Sequence, residues 1–182
     1  NVTELNQTKK IIDEVVSDLR QKKIKIKVPP IGVLIETPAA ALISHSLAKN
    51  CDFFAIGTND LTMYTLATDR GDEEVANIYD PTHPSVLKLI KLTVNSAKDN
   101  NIPVSICGEM AGDTLFTMLL VGLNINSLSM GISSILKIKQ FLNYLSFSEA
   151  RKISGEILND DDNISIKNKL EKYRNYVINN FS

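Results

Sequence analysis

Apolar residues recur at the helical period over residues 3–23, where Leu5, Ile12, Val15, Val16 and Leu19 share one stripe among charged neighbours. That is the pattern of a surface helix laid on a core. A basic connector over residues 22–27 leads to Pro29-Pro30, and beyond it Ile31-Gly32-Val33-Leu34-Ile35 forms a short continuous apolar run that stops at Glu36. Such a run suits a strand covered on both faces in a parallel sheet. Thr37 then reads as a helix cap and Pro38 as a first helical residue, opening an alanine-rich helix over residues 39–49. The alternation repeats. A strand over 52–56 ends at Gly57-Thr58-Asn59-Asp60 and is followed by a short helix, an irregular stretch rich in charge and proline, and a helix over 84–99. A strand over 104–107 leads through a loop over 108–113 to an apolar helix over 114–123, and a strand over 127–130 leads to a helix over 134–144.

Strands and helices alternating with short connections predict an α/β protein with a parallel sheet, closed as a barrel or open as a doubly wound sheet. A (β/α)8 barrel of ~250 residues allots ~31 to each unit, so four βα units occupy ~125 residues and amount to half a barrel. No GxGxxG turn follows the first strand to support an open nucleotide-binding sheet. Two terminal helices, over 148–158 and 164–181, close the chain. Between them Asn159-Asp160-Asp161-Asp162-Asn163 lacks the spaced ligands, glycine and distal glutamate of an EF-hand loop and reads as a solvated turn capping the last helix. The organisation expected is a leading helix and connector over 1–28, four βα units over 29–145 and C-terminal helices over 146–182.

Composition narrows the function. Twenty basic residues against 21 acidic ones leave a formal charge of −1, so nothing advertises nucleic acid or an anionic membrane, and a phosphate ligand would have to be held locally. No apolar run approaches the ~20 residues that cross a bilayer. Cys51 and Cys107 lie far apart with no CxxC spacing and no secretory leader, which predicts a reduced, cytoplasmic protein without a disulfide framework or structural zinc. The chain opens at Asn1 rather than methionine, as a piece of something longer would.

The chemistry-bearing residues fall where strands end: Glu36 after the first, Asn59 and Asp60 after the second, Cys107 and Glu109 after the third, Ser129 after the fourth. In parallel α/β folds this edge carries the site. Glu36 and Asp60 on adjacent strands can offer two carboxylates to one hard cation, for which magnesium is suited; taken singly, each acid reads as a cap of the following helix, and it is the pairing across adjacent strands that favours the metal. Cys107 reads either as a small buried hydrophobe or, from its strand-end position, as a protonated general acid for a carbanion-like enolate. Arg70 reads as a cation closing a helix before Gly71 or as a bidentate phosphate clamp. His45 and His83 sit away from the strand ends and read as surface or packing residues.

Four strings then carry a resemblance: Ile35-Glu36-Thr37-Pro38-Ala39-Ala40; Asp52-Phe53-Phe54-Ala55-Ile56-Gly57-Thr58-Asn59-Asp60-Leu61-Thr62; Asp69-Arg70-Gly71; and Cys107-Gly108-Glu109-Met110-Ala111-Gly112-Asp113. In this order, over residues 30–138, they resemble the signatures of the phosphoenolpyruvate-utilising enzyme family. Within it the run Leu66-Ala67-Thr68-Asp69-Arg70-Gly71 and the short tail look most like the Enzyme I branch of the sugar phosphotransferase system, with phosphoenolpyruvate synthase and pyruvate phosphate dikinase as the alternative branches. The resemblance implies the C-terminal half of a (β/α)8 TIM-type barrel. It implies that Glu36 and Asp60 bind Mg2+, that Asn59 and Arg70 hold the phosphate of phosphoenolpyruvate, and that Cys107 protonates the enolate to release pyruvate. It further implies transfer of the phosphate to a histidine and on to HPr, through an N-terminal domain outside these residues. Met63 stands where the family usually has glutamine. A lone half-barrel would expose two sheet edges, so a homodimer is expected, and the piece by itself is expected not to turn over. From another class, a non-catalytic module that senses phosphoenolpyruvate or dimerises remains an alternative, against which the retained cysteine argues.

Overall fold

A computed structural model describes residues 1–69, 71, 72 and 75–180. Helix α1 (Val2–Gln21) opens with a capping box in which the Asn1 side chain accepts from the backbone of Glu4 while Glu4 reaches back to the Asn1 backbone. Among the described residues four strands follow, β1 (Gly32–Ile35), β2 (Phe53–Gly57), β3 (Val104–Cys107) and β4 (Ser127–Leu128). They form one sheet in the order β1-β2-β3-β4, every neighbouring pair parallel. Among the described residues the order never reverses, and the sheet shows no switch point of the kind that doubly wound folds use.

Register separates two faces. The rows Val33–Phe54–Val104 and Ile35–Ile56–Ile106–Leu128 carry the buried side chains, with Ile35, Phe54, Ile56 and Ile106 fully covered by helices. The intervening row, Leu34–Ala55–Ser105–Ser127, lies on the other face, where Leu34 is 47% exposed. Strand alternation puts every second residue on that barer face.

The crossovers are α2 (Pro38–Leu42) with α3 (Ser44–Ala48), α4 (Thr58–Leu66) with α5 (Pro84–Asp99), and α6 (Thr114–Gly122); α7 (Ile132–Asn143) follows β4, and α8 (Phe147–Leu158) and α9 (Asn163–Asn179) end the fold. Thr37 caps α2 as expected, accepting from the Ala40 amide at 3.2 Å, with Pro38 as first residue. The single helix expected over 39–49 is instead interrupted at Ile43 (φ −102°, ψ 14°). The break coincides with Ser44, whose buried hydroxyl donates to Ser96 on α5 at 2.8 Å and holds the second piece against that helix.

Helix α6 is apolar all round and buries Phe116, Met118, Leu119 and Leu120. Helices α8 and α9 cover it, contributing Ala150, Ile153, Ile157, Ile166, Leu170 and Val177 to the same core. The acidic turn is structural. Asp162 caps α9 by accepting from the Ser165 amide at 2.9 Å, Lys88 of α5 reaches Asp161, and Asn163 donates to Asp80 at 3.2 Å. Asp160 accepts from Lys169 at 2.6 Å, and that bond, with those from Ser165 and the Asp162 amide, holds its carboxyl well below the usual range.

Two helical glycines contrast sharply. A Cβ on Gly122 would lie 2.0 Å from Ser154 Oγ and 2.2 Å from the Ala150 carbonyl oxygen, so α6 and α8 cross at backbone contact there. A Cβ on Gly155, inside α8, would meet nothing within 4 Å. Gly122→Ala is therefore expected to destabilise the fold by about 1–3 kcal/mol through overpacking, and Gly155→Ala to stabilise it by roughly 0.5–1 kcal/mol through helix propensity. Shifts of opposite sign in the chemical denaturation midpoint check both.

Candidate functional site at the carboxyl edge of the sheet

Glu36 directly follows Ile35, the partner of Ile56, so the next row begins with Glu36 beside Gly57. Gly57 pairs with Cys107, and Ser129 follows Leu128, the partner of Ile106. One row on the barer face thus reads Glu36, Gly57, Cys107, Ser129. Glycine at the second place matters. A Cβ there would lie 3.1 Å from Glu36 Cβ and 3.2 Å from Glu36 Oε2, so the carboxylate lies across the end of β2 in space that any side chain would contest.

Helix α4 starts without a connecting loop. Asn59 and Asp60, expected in a strand-end turn, occupy its first turn, where an acid is favoured by the helix dipole. Thr58, fully buried, donates from Oγ1 to the Cys107 carbonyl at 2.9 Å, and its own carbonyl accepts from Thr62 Oγ1 at 2.7 Å. Asn59 Oδ1 accepts from the Glu109 amide at 3.2 Å. Gly108 joins these residues with φ +96°, a left-handed conformation that L side chains rarely adopt. A Cβ there would also fall 2.7 Å from Thr58 Oγ1 and 3.0 Å from Asn59 Oδ1. The end of β3 and the start of α4 are therefore locked together, and Cys107 is fixed relative to Asn59 and Asp60.

Cys107 is half-buried, its thiol donating to the Ile56 carbonyl at 3.4 Å. Burial pushes the thiol's pKa up, and the negative charges of Glu36 and then Asp60 push it further. The group is held as S–H at neutral pH, suited to giving a proton and unsuited to nucleophilic attack. Cys107, Asn59, Glu109, Ser129 and Ser134 line an open cleft of ≈ 450 Å³. A larger cavity, ≈ 800 Å³, lies at the opposite end of the sheet and touches none of this chemistry.

Among the described residues, Glu36 and Asp60 make no hydrogen bond or ion pair with a side-chain cation, and no cluster of three acidic, histidine or cysteine side chains encloses a metal. Two half-buried carboxylates with open oxygens fit a hard cation that keeps water or ligand oxygens for its other positions, as Mg2+ does. The structure thus brings together Glu36, Asn59, Asp60, Cys107, Glu109 and Ser129. Arg70 lies outside the described residues. His45 is exposed on α3, its ring 3.5 Å from the Asn100 amide, and His83 caps α5 through Nδ1, which accepts from Ser85 at 3.2 Å; neither reaches the edge. Both cysteines are free thiols, and among the described residues no helix is long and apolar enough to cross a membrane. Thr58, Gly57 and Gly108 were not singled out by sequence reasoning. Gly57 and Gly108 at the ends of β2 and β3 were visible, but their neighbours across the sheet were not.

The class this architecture defines is a parallel α/β sheet that gathers a carboxylate pair, an amide and a thiol at its carboxyl edge. The chain belongs to the family of phosphoenolpyruvate-utilising enzymes: the family model described as "PEP-utilising enzyme, PEP-binding domain" matches residues 1–147. It is similar to the phosphoenolpyruvate-protein phosphotransferase of Buchnera aphidicola subsp. Acyrthosiphon pisum, 42% identical over 168 residues that cover 88% of this chain and 29% of that protein. It is also similar to the proteins of the same name from Borreliella burgdorferi, 44% identical over 79% of this chain and 25% of the relative, and from Mycoplasma capricolum, 36% identical over 96% and 30%. The chain spans less than a third of the length of these curated relatives.

Burial first, and then the charges on Glu36 and Asp60, raise the pKa of the neighbouring thiol. In a Cys51→Ser background, alkylation of Cys107 should show a pH midpoint above that of a free cysteine. Glu36→Gln removes a negative charge that opposes the thiolate and should move the midpoint down. A midpoint unmoved by Glu36→Gln would separate the two groups electrostatically.

Proposed function

We propose that this chain is the phosphoenolpyruvate-binding part of a phosphoenolpyruvate-protein phosphotransferase, contributing the C-terminal half of a (β/α)8 barrel. In this reading residues 29–145 are four barrel units, 1–28 a leading helix and connector, and 146–182 covering helices. Sequential strand order without a switch point supports the barrel, as do the outer edges of β1 and β4, which have no strand partner among the described residues. Association into a homodimer and a cytoplasmic setting belong to the same reading.

The observation that carries the chemistry is the single row in which Glu36 and Cys107 flank a glycine, with Asn59 and Asp60 in the helix turn directly above it. Glu36 and Asp60 would hold Mg2+, which when bound supplies positive charge to the phosphoryl oxygens. Asn59 commits its Oδ1 to the Glu109 amide and keeps its Nδ2 donor for a phosphate oxygen. Arg70 adds a guanidinium to the same phosphate. As the bond between phosphorus and the enol oxygen breaks, the phosphoryl group passes to a histidine of the full-length protein, and from there to HPr. The electron pair stays on the enolate, whose methylene carbon takes the proton of Cys107. Pyruvate leaves and a thiolate remains, to be reprotonated from solvent. Burial and the flanking carboxylates keep the thiol protonated for the next cycle.

Cys107→Ser in the full-length protein is expected to lower pyruvate formation by about 10²- to 10⁴-fold, the usual scale for loss of a general acid. Phosphate exchange between already phosphorylated protein partners should be nearly unchanged, because the thiol acts on carbon and not on phosphorus. Equal losses in the two assays would remove Cys107 from the proton-transfer role. The isolated 182-residue chain, given Mg2+ and phosphoenolpyruvate, should release no pyruvate; turnover by it would show that the missing barrel units are dispensable.

A further inference from the structure

At the amino-terminal end of the sheet, away from Glu36 and Cys107, the last turns of α5, the entry to β3, the end of α6 and one face of α8 line an open cleft of ≈ 800 Å³. That volume is typical of sites for small organic ligands. Lys91 and Lys98 line it from α5 and Arg151 from α8, together with Asn95 and the half-exposed ring of Phe147 (50%). Its described lining contains no carboxylate. Among the described residues none of these three cations forms an ion pair. Three unpaired like charges around one concavity repel each other and focus a positive field into it. On a chain whose formal charge is −1, that concentration is local and not a by-product of overall basicity.

Gly155 is the second observation. It lies on the wall of this cleft inside α8, where glycine weakens a helix, and no packing neighbour requires it, since a Cβ would meet nothing within 4 Å. Gly122, by contrast, is forced by the crossing of α6 over α8. What glycine secures at 155 is empty volume beside the cations. Lys91 and Lys98 are two helical turns apart on one face of α5, a rise of ~10 Å, so their charges suit an elongated anion better than a single carboxylate. Arg151 adds a planar donor for bidentate contact with a phosphate, and Phe147 offers a flat apolar surface beside it.

We propose that this cleft binds an organic diphosphate of the nucleoside diphosphate class, at a site separate from the carboxyl edge. The phosphates lie between Lys98, Lys91 and Arg151, and the flat base lies toward Phe147. The test is calorimetric titration of the full-length protein with ADP and with pyrophosphate, both without divalent metal, at physiological ionic strength. Saturable binding of ADP is expected, weakened at least ~10-fold by Lys98→Glu with Arg151→Glu and by Gly155→Leu, which fills the cleft without touching charge. Asp60→Asn should leave it unchanged. Gly155→Leu serves where charge reversal disturbs folding, since its side chain enters open space. Tighter binding of ADP than of pyrophosphate, with the difference abolished by Phe147→Ala, identifies the base contact. The proposal is overturned if neither compound binds saturably at millimolar concentration. It is equally overturned if Asp60→Asn abolishes the heat while Gly155→Leu leaves it intact, because the ligand would then be at the carboxyl edge.

Discussion

Parallel strands in consecutive order keep their register through every crossover, and the carboxyl edge depends on that. With Ile35 beside Ile56 and Gly57 beside Cys107, residues about seventy positions apart in the chain fall on one row. A slip of one residue in β2 would turn Gly57 toward the helices and set a bulkier neighbour against the Glu36 carboxylate. The sheet is held in step mainly by its helix-facing rows, where Ile35, Phe54, Ile56 and Ile106 are sealed from solvent. Burial on one face thus fixes polar geometry on the other.

Glycine at two positions converts that register into a site. Gly57 makes room for a carboxylate, and Gly108 turns the chain so that Glu109 can donate to Asn59. The first acts by absent volume and the second by backbone conformation as well. Together with the buried Thr58 hydroxyl on the Cys107 carbonyl, they make the thiol, the amide and the two acids parts of one rigid edge.

Much of this was legible in the sequence. The apolar runs and their turn residues located each strand within two residues of its observed bounds, and Pro84 and Asp99 bound α5 as expected because proline fixes a helix start and Asn100 follows its end. The strand-end positions of Glu36, Asn59, Asp60 and Cys107 followed from the same pattern. The interruption at Ile43 did not, since no proline or glycine marks it and its companion bond, Ser44 to Ser96, joins residues remote in sequence. The immediate start of α4 at Thr58 was also hidden, because Gly57 supplies no side-chain cap to announce it. Nor could spacing reveal a cationic concavity made by α5 and α8, whose lysines each look like ordinary solvated positions when read along the chain.

The crossing of α6 with α8 and α9 also bears on how the protein is made. Helix α6 is strongly apolar and follows the strand that carries Cys107, yet the helices that cover its outer surface come later in the chain. During synthesis the row holding Glu36, Gly57 and Cys107 is complete while α6 still lacks its cover. The nascent chain therefore exposes an apolar helix until Ile166, Leu170 and Val177 have left the ribosome. The order of translation thus makes α8 and α9 a late cover over a core whose sheet was laid down earlier.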